Sequence, residues 1–222
     1  MKIFAPQEQL LGKKVYRDRN LKKLEEKFKP KKVTYFSGEF ISTKENCDVI
    51  LLDENSLLDF IVEDIEKLER LLGKEKKELV KKALEILDKG KPLFTELAEE
   101  ERVELKDYNL TTLKPVVFLE GDQDLDTLWE KIFKTAGIIF FYTVNKNEAR
   151  SYPTREGTSI VFCAGKIHSD LARGFIRAEV FNIKDIDNFH NLEEARQKGL
   201  LKVVGKDYTV VHGDVINVKF SA

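Results

Sequence analysis

The sequence predicts two folded parts: an α/β layer interrupted by an antiparallel helical hairpin, then an α+β unit of about eighty residues built on a small mixed sheet. Three observations carry that reading. Between Val33 and Val144, apolar runs of strand length alternate with stretches of helical spacing. Residues 57–108 switch to a purely helical period, and from Gly174 onward apolar and polar residues alternate with period two. A chain of 222 residues, set against about 150 per domain, has room for two small units.

The elements follow in order. From Lys13 to Lys32 ten Lys or Arg stand against three acids, a local charge of +7. Leu21, Leu24 and Phe28 recur at helical spacing inside this run, so it reads as a basic amphipathic helix ended by Pro30. Such a face is either simply solvated or turned toward an anion or RNA. Val33 to Ile41 and Val49 to Leu52 read as strands, the second of the fully buried type. Ile61, Ile65, Leu68 and Leu72 form a narrow seam of coiled-coil type, resumed by Val80, Leu84 and Leu87 after Gly73-Lys74 and stopped at Gly90-Lys91-Pro92. Two such stripes joined by a short turn make a helical hairpin.

A short acidic helix spans Leu97 to Tyr108. Its adjacent glutamates fan to different faces and lack any His or Cys, so they read as a solvated face rather than a metal site. Pro115 to Leu119 and Ile138 to Val144 are apolar strands, separated by a helix from Leu125 to Thr135 that carries Trp129. In the last part Gly174 to Ile183 alternates as a strand, and Leu192 to Lys198 is a helix stopped by Gly199. Asp207 to Val211 and Val215 to Phe220 flank His212-Gly213-Asp214 and read as a hairpin or tight corner.

Composition narrows the function classes. Thirty-eight basic and 39 acidic residues leave a net charge of −1, so a nucleic-acid partner must be met by a local patch rather than by the whole field. No apolar run of about 18 residues exists, which argues against a membrane span. Two cysteines, Cys47 and Cys163, make no disulfide framework and point to a reducing cytoplasm. Charged residues at 35% with a single Met fit the ion-pair-rich composition of thermophile proteins.

Several blocks of the C-terminal part resemble a known family. Gly157-Thr158, Ala164-Gly165-Lys166-Ile167-His168-Ser169-Asp170, Gly174-Phe175-Ile176-Arg177-Ala178-Glu179-Val180, Gly205-Lys206-Asp207-Tyr208 and Gly213-Asp214-Val215 are similar, in order, to the C-terminal module of the YchF or Obg-like ATPases. Upstream, Lys89-Gly90-Lys91-Pro92-Leu93, Leu110-Thr111-Thr112-Leu113-Lys114-Pro115 and Glu63-Asp64-Ile65-Glu66-Lys67-Leu68-Glu69 resemble the same family around its helical hairpin. The resemblance implies a fold: an α/β remnant of a nucleotide-binding domain with an inserted antiparallel helical hairpin, plus an α+β ubiquitin-like β-grasp domain of TGS type. It implies domains at 1–56 with 109–136, at 57–108 for the hairpin, and at 137–222 for the β-grasp unit.

Against that family, the nucleotide machinery is missing from these residues. A P-loop needs glycines whose N–H groups wrap phosphates, a lysine for the β and γ oxygens, and a Ser or Thr hydroxyl for Mg²⁺. The Gly-Lys pairs at Gly12, Gly73, Gly90, Gly165 and Gly205 are followed by Lys, Glu, Pro, Ile and Asp. The first strand and helix of the nucleotide domain are expected to be absent. Ser42 stands after Glu39-Phe40-Ile41 where the family has Asp, and the base-recognition loop places Gly121 where the family has Asn, with its acid at Asp124. No catalytic, nucleotide-binding or metal residue is therefore assigned, and no cofactor. His168, His190 and His212 are scattered, and His168 beside Asp170 reads as an imidazole bonded to nearby backbone. Cys163 reads as a small buried hydrophobe.

Taken together, the expected function is a non-catalytic pseudo-GTPase adaptor that binds RNA, the ribosome or a translation-associated partner, and not an enzyme. The alternatives are a residual ATP- or GTP-binding protein with a non-standard site, and a protein–protein scaffold that docks through the helical hairpin. Candidate RNA- or partner-binding residues are Lys13, Lys14, Arg17, Arg19, Lys22, Lys23, Lys31 and Lys32 in the basic run, with Lys166, Arg173 and Arg177 in the C-terminal module. Lys and Arg supply most sequence-independent phosphate contacts. Phe175, Phe181 and Tyr208 are aromatics that serve either as stacking surfaces or as core.

Overall fold

A computed structural model describes residues 1–53, 56–71, 77–119, 121 and 123–221. The strands are β1 (Lys2–Phe4), β2 (Gly12–Val15), β3 (Lys32–Thr34), β4 (Ser37–Ile41), β5 (Val49–Leu52), β6 (Val116–Phe118), β7 (Ile138–Val144), β8 (Glu148–Arg155), β9 (Phe175–Asn182), β10 (Lys202–Val204) and β11 (Asp214–Phe220). The helices are α1 (Arg19–Phe28), α2 (Leu57–Glu69), α3 (Lys77–Asp88), α4 (Leu93–Glu96), α5 (Glu99–Glu104), α6 (Leu125–Thr135), α7 (Ile160–Ile167), α8 (Ser169–Arg173) and α9 (Leu192–Gln197). Two compact units result, Met1–Lys14 with Ser37–Ala136 and Val15–Phe36 with Gly137–Ala222.

The first unit is an α/β layer. Its five-stranded sheet has the order β2-β4-β1-β5-β6, and β1 pairs in parallel with both β4 and β5, as does β5 with β6. Alternation sends successive side chains to opposite faces. Ile50, Leu52 and Val116 meet Leu57, Phe60, Ile61 and Leu68 of α2 and Val80, Ala83 and Leu87 of α3 in one core. On the other side Phe40 meets Trp129 of α6 edge-on at 5.0 Å. Gly38 is required there, because a Cβ on it would lie 2.6 Å from the Trp129 ring.

Asp64 fixes α2 to the segment that feeds β6. The carboxylate is fully buried, yet it accepts from Thr111 N at 2.9 Å, Thr112 N at 2.7 Å, the Thr112 hydroxyl at 2.8 Å and Lys67 Nζ at 3.1 Å. With those partners, burial of the charge is tolerable.

The second unit is built on a six-stranded mixed sheet of order β10-β9-β11-β7-β8-β3. β7 and β8 form an antiparallel hairpin from Ile138↔Arg155 to Val144↔Ala149. β11 runs antiparallel to β9 and parallel to β7. Ile160, Cys163 and Ala164 of α7 share a core with Phe141, Phe175, Ala178, Val180 and Ile216. The opposite face carries α1, whose Leu21 and Leu24 are fully buried, each contributing about 2 kcal/mol of apolar burial.

Several expectations are corrected. Val33 to Ile41 is two strands in different sheets, since β3 pairs with β8 and β4 with β1. Residues 15–36, assigned by the sequence to the first domain, belong to the second unit because β3 extends its sheet and α1 covers it. A strand that the sequence reading did not name, β1, lies at the centre of its sheet. Asp207 to Val211 is not a ladder strand. The Asp214 carboxylate takes the Val211 N–H at 3.0 Å and the Tyr208 hydroxyl at 2.8 Å, so this segment bonds to a side chain, with one isolated bridge between Ser159 and Thr209. The turn between the two helical stripes, at Gly73-Lys74, lies outside the described residues.

Candidate functional site

The sequence candidates are cations, so the question is which of them the fold presents together. α1 begins at Asp18, whose side chain accepts from Asn20 N at 2.8 Å and Leu21 N at 3.4 Å, an N-cap. The same carboxylate accepts from the Tyr142 hydroxyl at 2.7 Å, and that oxygen receives Asn20 Nδ2 at 3.3 Å. Burial pushes the Asp18 carboxyl above its usual range, against the downward pull of the Tyr142 hydroxyl and the two N–H donors. Burial and the neighbouring Asp18 charge push the Tyr142 hydroxyl upward, so it stays a donor. His212 completes the cluster, its Nδ1 accepting from Phe140 N at 3.2 Å.

This cluster and the packing of Phe28 on Phe181, at 6.2 Å between rings, leave one side of α1 outward. Arg19, Lys22 and Lys23 lie on it and are exposed, as are Lys31 and Lys32 beyond the helix. Lys22 has Glu26 at 3.9 Å and Lys32 has Glu148 at 3.7 Å, both well solvated. Lys27 turns inward instead: its ammonium donates to the carbonyls of Ile186 and Phe189 and sits 4.7 Å over the Phe189 ring. Arg17 is exposed just before the cap, and Lys13 and Lys14 lie on β2 in the first unit.

The C-terminal candidates are not one cluster with α1. Phe141 and Val180 face α7, whereas Phe140, Tyr142 and Phe181 contact the segment from Tyr16 to Phe36. Lys166 on α7 and Arg173 on α8 therefore sit on the opposite side of the sheet from Lys22 and Lys23. Lys166 donates to Pro153 O at 2.7 Å, and Arg173 pairs with Asp170 at 2.9 Å. Arg177 on β9 is exposed and opposite Lys219 in the ladder, on the side of Glu179, which bonds Lys219 and Arg196.

Other singled-out residues have structural partners. His168 caps α8 by accepting from Asp170 N at 3.2 Å. Cys163 is buried, and that burial pushes its thiol to about 11. Phe175 and Phe181 are core residues. Asp124 caps α6, accepting from Asp126 N and Thr127 N and from the Thr127 hydroxyl, and these donors hold its carboxyl below the usual range. Past β1 the chain runs through a single 3-10 turn, Glu8–Leu10, into β2 without a glycine before Gly12. No cluster of His, Cys, Asp or Glu able to hold a metal occurs among the described residues, and none of their helices is long and apolar enough to cross a membrane.

Sequence reasoning missed Phe162, which is 60% exposed on α7. Its signal was present: Ile160-Val161-Phe162-Cys163-Ala164 is a run of five apolar residues on one helix, and a helix cannot turn five consecutive side chains inward.

A parallel-rich α/β sheet with helices on both faces, followed by a mixed sheet with α7 against it, defines an α/β nucleotide-binding-like fold with a C-terminal domain. Comparison with known proteins makes this specific. The model for the YchF GTPase C-terminal family, described as a protein of unknown function (DUF933), matches residues 138–221. The ribosome-binding ATPase YchF of Bacillus subtilis is 36% identical over 109 residues, 47% of this chain and 30% of that protein. YchF of Mycoplasma genitalium is 34% identical over 103 residues, 46% of this chain and 28% of the relative. Obg-like ATPase 1 of Rattus norvegicus is 30% identical over 153 residues, 68% and 38% respectively. The YchF GTPase of Schizosaccharomyces pombe shares the fold, with a TM-score of 0.82 at 16% identity, over 97% of this chain and 89% of that one. The chain belongs to the YchF/Obg-like family.

Those matches correct the functional expectation. The relatives are named ATPases, which overturns the non-catalytic pseudo-GTPase adaptor. The aligned stretches span only 28% to 38% of these relatives. A missing phosphate cradle within such a stretch is no sign of a degenerate family member.

Proposed function

We propose that this chain engages the ribosome, as a member of the YchF/Obg-like family, and works in the cytoplasm. Its second unit acts as a TGS-like β-grasp module, with α1 laid across the sheet face that α7 leaves open. The observation that carries this reading is the exposed row Arg19, Lys22, Lys23, Lys31 and Lys32, held outward by the buried Asp18–Tyr142 contact. That relatives are named ribosome-binding ATPases supports the choice of partner. Rows of Lys and Arg bind RNA phosphates largely by releasing counterions, so the association is salt-sensitive.

In the first unit α2 and α3 act as a helical hairpin. Leu58 and Val62, exposed one turn apart on α2, suit contact with a protein component of the same assembly.

Co-sedimentation with purified ribosomes tests the reading. The chain should pellet with ribosomes at low salt, and the Lys22→Glu, Lys23→Glu double variant should pellet several-fold less. A chain that stays in the supernatant at every salt concentration contradicts it.

A further inference from the structure

α7 carries more apolar surface than its inward side uses. Ile160, Cys163 and Ala164 are buried, while Phe162 stands outward. One turn on, the Lys166 ammonium lies 5.7 Å from the Phe162 ring centroid. Two shallow depressions adjoin that ring and share Ser159, Phe162 and Lys166. One, of about 440 Å³, reaches Arg155 and Thr158; the other, of about 510 Å³, runs along Val161 and Ala172. Of the nearby acids, Asp170 is paired with Arg173, and Glu156 is exposed beside Arg155.

We propose that this outer face of α7 is a stacking site for an unpaired base of single-stranded RNA, with the base on Phe162 and flanking phosphates on Arg155 and Lys166. It names an RNA contact within the ribosome-engaging reading and so rests on that reading. Charge decides for RNA over a protein anchor. The ring is bordered by two cations, Arg155 and Lys166, which complement the phosphates that flank a stacked base. A base has a π-face whatever its identity, so such a site is tolerant of sequence.

The test uses the full chain and a fluorescein-labelled single-stranded RNA of twelve mixed nucleotides, followed by anisotropy. Loss of one stacked base lowers affinity about five- to a hundredfold. Phe162→Ala should therefore weaken binding about tenfold without changing the salt slope, since no charge is removed. Lys166→Gln should reduce that slope by about one. Phe162→Trp should bind like the parent, and its added indole fluorescence should be quenched by RNA above the background of buried Trp129. Because the side chain is exposed, all variants should keep the parent's thermal midpoint. Phe162→Ala binding as tightly as the parent, or Phe162→Trp showing no quenching, overturns the site. If Phe162→Ala loses ribosome association while its RNA affinity is unchanged, the ring meets protein and the stacking proposal falls. Failure of the parent chain to bind ribosomes, with the RNA results intact, would instead sink the ribosome-engaging reading.

Discussion

Tyr142→Phe probes the contact on which the position of α1 depends. The hydroxyl is buried and donates to an Asp18 carboxylate that is 3% exposed, while the ring packs independently of it. A hydrogen bond to a charged group contributes about 1.5–3 kcal/mol. The variant also removes the acceptor of Asn20 Nδ2. The Asn20 and Leu21 N–H groups still serve the carboxylate, so the loss should be near the lower part of that range, about 2 kcal/mol. That corresponds to about a thirtyfold larger population with α1 lifted from the sheet. Limited trypsin digestion reads it directly, because Arg17, Arg19, Lys22 and Lys23 lie in or beside the lifted segment, and at low protease the cleavage rate follows the open population. Cleavage at these sites should accelerate by that factor, with cleavage at Arg173 on the far side of the sheet changing much less. Equal rates for parent and variant at the α1 sites would refute the latch, and equal acceleration at Arg173 would mean that the whole unit had loosened instead.

Three further outcomes are expected. Asp64→Ala strands the buried donors of Thr111 and Thr112 and should cost about 3–5 kcal/mol in urea unfolding followed by Trp129, the single tryptophan, which reports on the first unit; a loss under about 1 kcal/mol contradicts the role given to Asp64. Gly38→Ala should cost about 1–3 kcal/mol and shift Trp129 emission, since the new methyl meets a ring that has no room to move; an unchanged spectrum and midpoint would contradict this packing. For Asp18, burial raises the carboxyl above 3.8, so the folded state favours its protonated form: its contribution is fullest below about pH 4 and is lost as pH rises through the folded value. Asp18→Asn lacks this titration, so the stability of the variant relative to the parent should improve from pH 4 toward pH 7, and a difference that is flat with pH would contradict the raised carboxyl.

The helical stripes of α1, α2, α3 and α6 were legible because Leu21, Ile61, Val80 and Trp129 sit in local periodic patterns. The destination of α1 was not. An apolar stripe says that a helix packs on something, and the choice of sheet rests on the pairing of Lys32–Thr34 with Glu148–Arg150, more than a hundred residues away. β1 escaped notice for a related reason: three residues carry no period, and only its two parallel neighbours make it a strand. Asp18 is one of three acids in a basic run, and nothing local to that run points to Tyr142, 124 residues further on, as its partner. The expected strand at Asp207–Val211 had the right alternation, but its pairing stops at one bridge to Ser159 and the Val211 N–H goes to the buried Asp214. At the candidate site, the charges of Lys22 and Lys166 were plain in the sequence, and their separation onto opposite sides of one sheet was not.

The most direct measurement is the affinity of the intact chain for ribosomes as a function of salt. The account predicts binding at about 50 mM salt whose logarithm falls linearly with the logarithm of salt concentration, with a shallower slope once Lys22 and Lys23 are replaced. Affinity that is independent of salt, or a slope untouched by those replacements, would contradict it.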